Sequence, residues 1–211
     1  MPGKFIVFEG IDGSGKGTQL KLSFNYLWNL SKEIDIYATR EPTRNNKEIR
    51  ERMRKNKDVN EDINWYAKNF IEDRVNHCTE YISPALKRGI HILCDRYKYS
   101  TLAYQETQGM EFEEVLKMHE IYPQIPTPDL TMIFDCPVEI AFERRKKDGA
   151  IEVFDKDIGF QKRLRENYLK LPNRLKEEKI VIINASYTIS EVFEQTKKKL
   201  DLLLGVKSDI V

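Results

Sequence analysis

Lys16 stands in the run Gly10-Ile11-Asp12-Gly13-Ser14-Gly15-Lys16-Gly17-Thr18, where glycines recur around one acid and one base. The spacing G-x-x-x-x-G-K can surround an anion with backbone N–H groups, because glycine permits the turned conformations that aim them inward. A helix starting directly behind the run would add partial positive charge from its N-terminus. The lysine would then neutralise the β- and γ-phosphates of a nucleoside triphosphate. The flanks agree with that chemistry. Phe5-Ile6-Val7-Phe8-Glu9 is an apolar run of strand length, and Leu20, Leu22, Phe24, Leu27 and Trp28 form a broad apolar helix face. Gly17 stands where a serine or threonine usually follows the lysine, and the hydroxyl comes one place later at Thr18. Mg²⁺ is therefore expected to be held largely through water and phosphate oxygens, as that ion favours.

Further clusters could complete such a site. Thr39-Arg40-Glu41-Pro42-Thr43 follows a second strand-like run, and the planar fork of Arg40 matches phosphate oxygens. In open α/β sheets ligands collect at the carboxyl ends of strands, which is where Arg40 falls. Ile90-His91-Ile92-Leu93-Cys94-Asp95-Arg96-Tyr97 is an apolar strand ending in a carboxylate, the Walker B arrangement that turns Asp95 towards Mg²⁺ or its waters. Arg96 beside it can address a second phosphate. Asp95 could instead cap the next helix. Phe70 and Arg74 lie four apart and so share a helix face. Phe70 alone would read as core packing. Glu143-Arg144-Arg145-Lys146-Lys147-Asp148-Gly149-Ala150 is a basic run at a helix end, which in isolation suits solvent and the helix dipole.

Strand-like runs recur at Phe5–Glu9, Ile34–Ala38, Ile90–Asp95, Leu130–Asp135 and Lys179–Asn184, with helical patterns between them. That alternation predicts an α/β fold with a five-stranded parallel sheet flanked by helices. The first helix is expected to end near Leu30. One long helix is expected from Asn60 or Glu61 to Lys87, bent or broken at Pro84. Two more are expected from Asp157 or Gly159 to Lys176 and from Ser190 to Leu204, the latter capped near Thr188. At 211 residues the chain suits one domain, and no repeat or linker divides it. A net charge of +1 leaves no positive excess for nucleic acid. No apolar stretch approaches the ~20 residues needed to span a bilayer. Glu9 and Asp12 interrupt the one early apolar run, so no signal peptide is expected. Cys78, Cys94 and Cys136 lack C-x-x-C spacing and read as buried thiols, and His77, His91 and His119 share no ligand spacing. The composition suits a soluble cytoplasmic enzyme.

The order Gly-Lys-Gly-Thr is similar to that of adenylate and UMP/CMP kinases. The chain as a whole resembles the thymidylate kinase family, P-loop nucleoside monophosphate kinases. The resemblance rests on Phe8–Lys16, Thr39–Pro42, Phe70 with Arg74, Asp95–Tyr97 through Ser100-Thr101 and Ala103–Gln105, and Pro128–Thr131. Ile151-Glu152, Phe160 and the Arg163–Tyr168 helix extend it. It implies transfer of the ATP γ-phosphoryl group to dTMP, giving dTDP and ADP for dTTP synthesis. It also implies a homodimer and a lid at about residues 144–156. Asp12 would touch the deoxyribose 3′-hydroxyl, and Arg40 and Arg96 the dTMP phosphate. Phe70 would stack on thymine and Arg74 would bond its carbonyl edge. Ser100, Thr101, Tyr104 and Gln105 would line base and sugar, with Tyr104 crowding the ribose 2′ position. Thr18 and Asp95 would serve Mg²⁺. Asp12, Lys16, Arg96 and a lid cation would act on the transferring group. Arg144, Arg145 and Lys147 can supply that cation, with Arg145 assigned, because relatives carry arginine where Ala150 stands here.

Three other readings stay open, one of them a non-catalytic nucleotide-binding protein, which Gly17 and Ala150 would suit but the retained Lys16, Asp95 and Arg96 oppose. A nucleoside monophosphate kinase for another base would share the Gly-Lys-Gly-Thr order. A GTPase would need N-K-x-D, but Asn56-Lys57-Asp58-Val59 has its aspartate one place early.

Overall fold

The computed structural model describes residues 2–55, 62–147 and 157–206. Its centre is a five-stranded parallel sheet built from β1 (Phe5–Glu9), β2 (Ile36–Arg40), β3 (His91–Asp95), β4 (Leu130–Asp135) and β5 (Ile180–Asn184). The spatial order is β2-β3-β1-β4-β5. Every residue of β1 is buried, as its unbroken apolar run requires of a strand covered on both faces. The chain leaves β1 for β2 on one side, returns through β3, and then crosses to β4 on the other. Order therefore reverses about β1, and the crevice at such a reversal is where open α/β sheets bind ligands.

Nine α-helices are described: α1 (Lys16–Leu30), α2 (Lys47–Lys55), α3 (Ile63–His77), α4 (Ser83–Lys87), α5 (Lys98–Thr107), α6 (Phe112–Glu120), α7 (Val138–Lys147), α8 (Ile158–Arg174) and α9 (Ile189–Leu204). The Asp157 carboxylate caps α8 by accepting from Phe160 N at 2.8 Å. Thr188 and Glu191 cap α9 reciprocally, so that helix starts one residue before the expected Ser190. All three cysteines are buried free thiols.

Several expected boundaries are corrected. β2 runs two residues later than Ile34–Ala38, because it pairs in register with β3 from Ile36 opposite His91 to Arg40 opposite Asp95. Thr39 and Arg40 thus belong to the strand, whose polar residues are tolerated at a sheet edge. The helix expected to run unbroken to Pro84 gives way earlier, to a π-helical turn at Cys78–Ile82 between α3 and α4. Pro84 has no N–H and its ring crowds the carbonyl four residues back, so the backbone widens upstream of the proline. The start expected at residues 60–61 lies outside the described residues. α8 also stops two residues before the expected Lys176.

Candidate active site

The loop after β1 approaches its neighbours too closely for a side chain at two points. A Cβ on Gly10 (φ +136°) would stand 2.7 Å from the Phe134 carbonyl oxygen, and one on Gly13 (φ +83°) 2.3 Å from that of Ala141. Glycine there lets the cradle lie directly against β4 and α7. Lys16 opens α1 and its buried Nζ donates to Asp12 Oδ1 at 3.0 Å. One cavity runs along this loop, lined by residues 12–21 together with Thr39, Arg40, Asp95, Arg144, Arg145 and Lys147.

A second cavity opens on the other side of Asp12. Phe70, Arg74, Arg96, Ser100, Thr101, Tyr104 and Gln105 all line it. Most of its exposed wall is carbon, from rings and aliphatic stems, with few polar groups. Tyr66, Phe70 and Arg74 succeed one another at four-residue spacing on α3, and the Tyr66 and Phe70 rings stack with centroids 5.7 Å apart.

Arg96, on the wall of the second cavity, reaches Asp12, which lines both. Its Nη2 donates to Asp12 Oδ1 at 2.6 Å, and its Nη1 donates to Ser100 Oγ at 3.0 Å and Tyr168 Oη at 3.1 Å. Its backbone is left-handed (φ +70°), which costs a non-glycine residue about 1–3 kcal/mol and persists only where surroundings enforce it. Glu9 does so. This buried carboxylate accepts from Tyr97 N at 2.7 Å and Ser100 N at 3.1 Å through Oε1, and from Ser100 Oγ at 2.7 Å and Tyr168 Oη at 3.0 Å through Oε2. Both hydroxyls spend their hydrogens on Glu9, so their lone pairs face Arg96. Burial and Glu9 together push the Tyr168 phenol well up, which keeps it a donor. Burial would raise the Asp12 pKa, but the Arg96 and Lys16 cations outweigh it and hold the carboxyl far below the usual carboxylate range.

Residues 8–196 match the sequence model of the family described as thymidylate kinase. The chain belongs to the thymidylate kinase family. It is 40% identical over 216 residues to a protein named probable thymidylate kinase from Pyrococcus abyssi, covering 100% of this chain and 99% of that one. It is 36% identical over 211 residues to the thymidylate kinase of Desulfotalea psychrophila, covering 98% and 95%. Against the thymidylate kinase of Clostridium novyi the figures are 35% over 205 residues, covering 92% and 97%. Family membership makes this chain an ATP-dependent nucleoside monophosphate kinase.

For a thymidylate kinase, the expected residues divide between the two cavities in a telling way. Gly13 to Thr18, Arg40, Asp95 and Arg145 lie on the cradle side, while the expected base and sugar contacts lie on the other. Arg40 is exposed and stands among the cradle's lining residues, level with Asp95, not within the apolar cavity. Gly10 and Ile11 sit behind the loop against β4. One Asp95 carboxylate oxygen is buried without a hydrogen-bond partner among the described residues. That orphan acceptor, with Thr18 on the same cavity, fits a hydrated Mg²⁺. Among the described residues no cluster of three His, Cys, Asp or Glu could hold a metal unaided. Arg145 lies over the cradle, its Cγ 3.0 Å from where a Gly13 Cβ would stand. Arg144 lines the same cavity, but its guanidinium is engaged by the protein, donating to the carbonyls of Ala185 at 3.0 Å and Tyr187 at 3.4 Å. The part of the expected lid at 148–156, with Ala150, lies outside the described residues.

Sequence reasoning gave no role to Glu9, Glu41, Tyr168 or His119, although the first three stand in the quoted motifs. A carboxylate within an unbroken apolar strand was the available signal for Glu9. Tyr187 and Ile189 were also missed; both are largely exposed and line the cradle cavity. Exposed apolar side chains just past β5 were their signal.

Proposed function

We propose that the single domain of residues 1–211 carries an ATP site on the cradle and a dTMP site in the apolar cavity, and transfers the γ-phosphoryl group between them. The observation that carries this reading is the shared wall: Asp12 lines both cavities, with Lys16 bonded on one side and Arg96 on the other. Two phosphate-bearing ligands meeting there would replace the Asp12 carboxylate as partners of the two cations.

In this reading the acceptor is a phosphate oxygen that is already anionic, so no general base or covalent intermediate is needed. Lys16, Arg96 and Arg145 neutralise charge on the transferring group, and Asp12 takes the 3′-hydroxyl and orients the acceptor. Mg²⁺ held near Asp95 and Thr18 would supply further charge neutralisation on the phosphates. Arg40 reaches the phosphates from the β2 end. Tyr187 and Ile189 offer the adenine a flat apolar platform. Phe70 stacks on thymine, Arg74 bonds its carbonyl edge, and Ser100, Thr101, Tyr104 and Gln105 enclose base and sugar. Tyr104 crowds the 2′ position and favours the deoxy sugar. A homodimer acting in the cytoplasm is proposed from family resemblance alone; sedimentation tests the dimer. Among the described residues no helix is long and apolar enough to cross a membrane.

Separate calorimetric titrations of dTMP and a non-hydrolysable ATP analogue test the division into two sites. Phe70→Ala should weaken dTMP binding roughly tenfold or more, the usual size of a lost base stack, and leave the ATP analogue unaffected. Equal weakening of both ligands would overturn the assignment.

A further inference from the structure

Arg74 has five N–H bonds to place, and the described residues accept four of them. Nε donates to Glu41 Oε2 at 2.6 Å, and Nη1 to His119 Nε2 at 2.7 Å and Thr101 Oγ1 at 3.2 Å. Nη2 donates once, to the same Thr101 oxygen at 3.2 Å. One Nη2 hydrogen remains, on a residue that lines the apolar cavity. The grip comes from three separate elements: the end of β2, α5 and α6.

His119 is the acceptor whose state the partners dictate. Its Nδ1 lies 2.8 Å from the Val115 carbonyl oxygen, which can only accept, so Nδ1 carries the proton. Its Nε2 faces a guanidinium, which can only donate, so Nε2 presents a lone pair. The ring is buried and is not among the residues lining the cavity, so it can act on a ligand only through Arg74. Burial, and then the Arg74 charge, lower its pKa to about 3, which keeps it neutral throughout the working range.

We propose that His119 is a positioning residue for base recognition: it draws one Nη1 hydrogen of Arg74 away from the cavity and leaves the free Nη2 edge for the pyrimidine C4 substituent. An edge that only donates accepts a carbonyl at C4 and rejects an amino group. This rests on the reading of Arg74 as the contact to the carbonyl edge of the base.

Two isosteres separate positioning from packing. His119→Asn places its amide near Nδ1, keeping the bond to Val115 and removing the acceptor from Arg74. His119→Gln places its amide near Nε2 and keeps that acceptor. Steady-state kinetics should show KM for dTMP raised about tenfold in His119→Asn, the scale of one lost hydrogen bond to a charged group. The preference for dTMP over dCMP should fall by a similar factor, with KM for ATP within twofold. His119→Gln should recover most of both losses. Equal behaviour of the two variants, or an equal rise in KM for ATP, overturns the inference. If His119→Asn does not fold, ¹⁵N NMR of the histidine-labelled wild type decides: a His119 ring that titrates between pH 5 and 8 overturns it, and a neutral Nδ1–H ring supports it. Arg74→Lys keeps a charge opposite Glu41 but loses the fork. An unchanged KM for dTMP there removes the base-reading role itself, whereas a raised KM with normal His119→Asn kinetics removes only the positioning role.

Discussion

Replacing Arg74 by leucine strands the buried carboxylate of Glu41, and the size of the damage follows from the burial of the pair. Both side chains are 3% exposed and Nε stands 2.6 Å from Oε2. Breaking such a pair from one side costs about 3–5 kcal/mol, because the surviving carboxylate has lost water and its cation and keeps only the contact of Oε1 to His77 Nδ1 at 3.0 Å. His119 Nε2 and Thr101 Oγ1 lose their donor as well. Against a typical domain stability of about 5–15 kcal/mol this is a large fraction. Pairing Arg74→Leu with Glu41→Gln removes the bare charge, so the double variant should be more stable than the sum of the single losses by roughly 2 kcal/mol or more. Urea unfolding at constant slope measures all four corners of the cycle. A single-variant loss below about 1 kcal/mol, or strictly additive losses, would refute the argument that this pair is desolvated and coupled. Arg74→Lys is therefore the better probe of base reading, since it leaves Glu41 compensated.

Other consequences are equally direct. Lys16→Ala should lower turnover at least ~100-fold if Lys16 is an electrostatic clamp of the usual size, and near-normal turnover in a coupled ADP assay would contradict that role. Gly13→Ala places a methyl group 2.3 Å from the Ala141 carbonyl oxygen at φ +83°, so the cradle and α7 must part. KM for ATP should rise about tenfold or more with little change in KM for dTMP, and unaltered ATP kinetics would refute the close docking. His119 has a folded-state pKa of about 3 against an ordinary 6.5, lowered by burial, Arg74 and Lys98. The unfolded chain therefore binds the extra proton first. Its contribution is complete above pH 6.5 and is lost as pH falls towards 3, at about 1.4 kcal/mol per pH unit. Denaturant melts of His119→Gln should lack that share of the slope, and identical slopes would show that His119 is not held neutral.

The sheet was legible because its strands are continuous apolar runs, and β1 and β4 fall where the pattern places them. β2 was displaced because an edge strand needs no apolar run, so only its pairing with β3 reveals that Thr39 and Arg40 lie inside it. The break ahead of Pro84 was misplaced for a related reason. Proline shows where a hydrogen bond is missing, not where the backbone absorbs the loss. Phe70 and Arg74 could be paired from their spacing along one helix. Glu9 and His119 could not be given roles that way, because their partners come from distant elements: Tyr168 lies 159 positions from Glu9, and Arg74 lies 45 from His119. Short motifs name the residues that touch ligands, whereas the groups that fix donor and acceptor directions become visible only in three dimensions.

The central claim is that the cradle and the apolar cavity hold ATP and dTMP on either side of Asp12. ADP production from ATP and Mg²⁺, measured with dTMP, dUMP, UMP, dCMP, dGMP and AMP in turn, tests it most directly. Strong turnover with dTMP, and far weaker turnover with dCMP and the purine nucleotides, is the predicted result. Preferential turnover with a cytosine or purine acceptor would contradict the roles given to Phe70 and Arg74, and silence with all six would contradict the transfer itself.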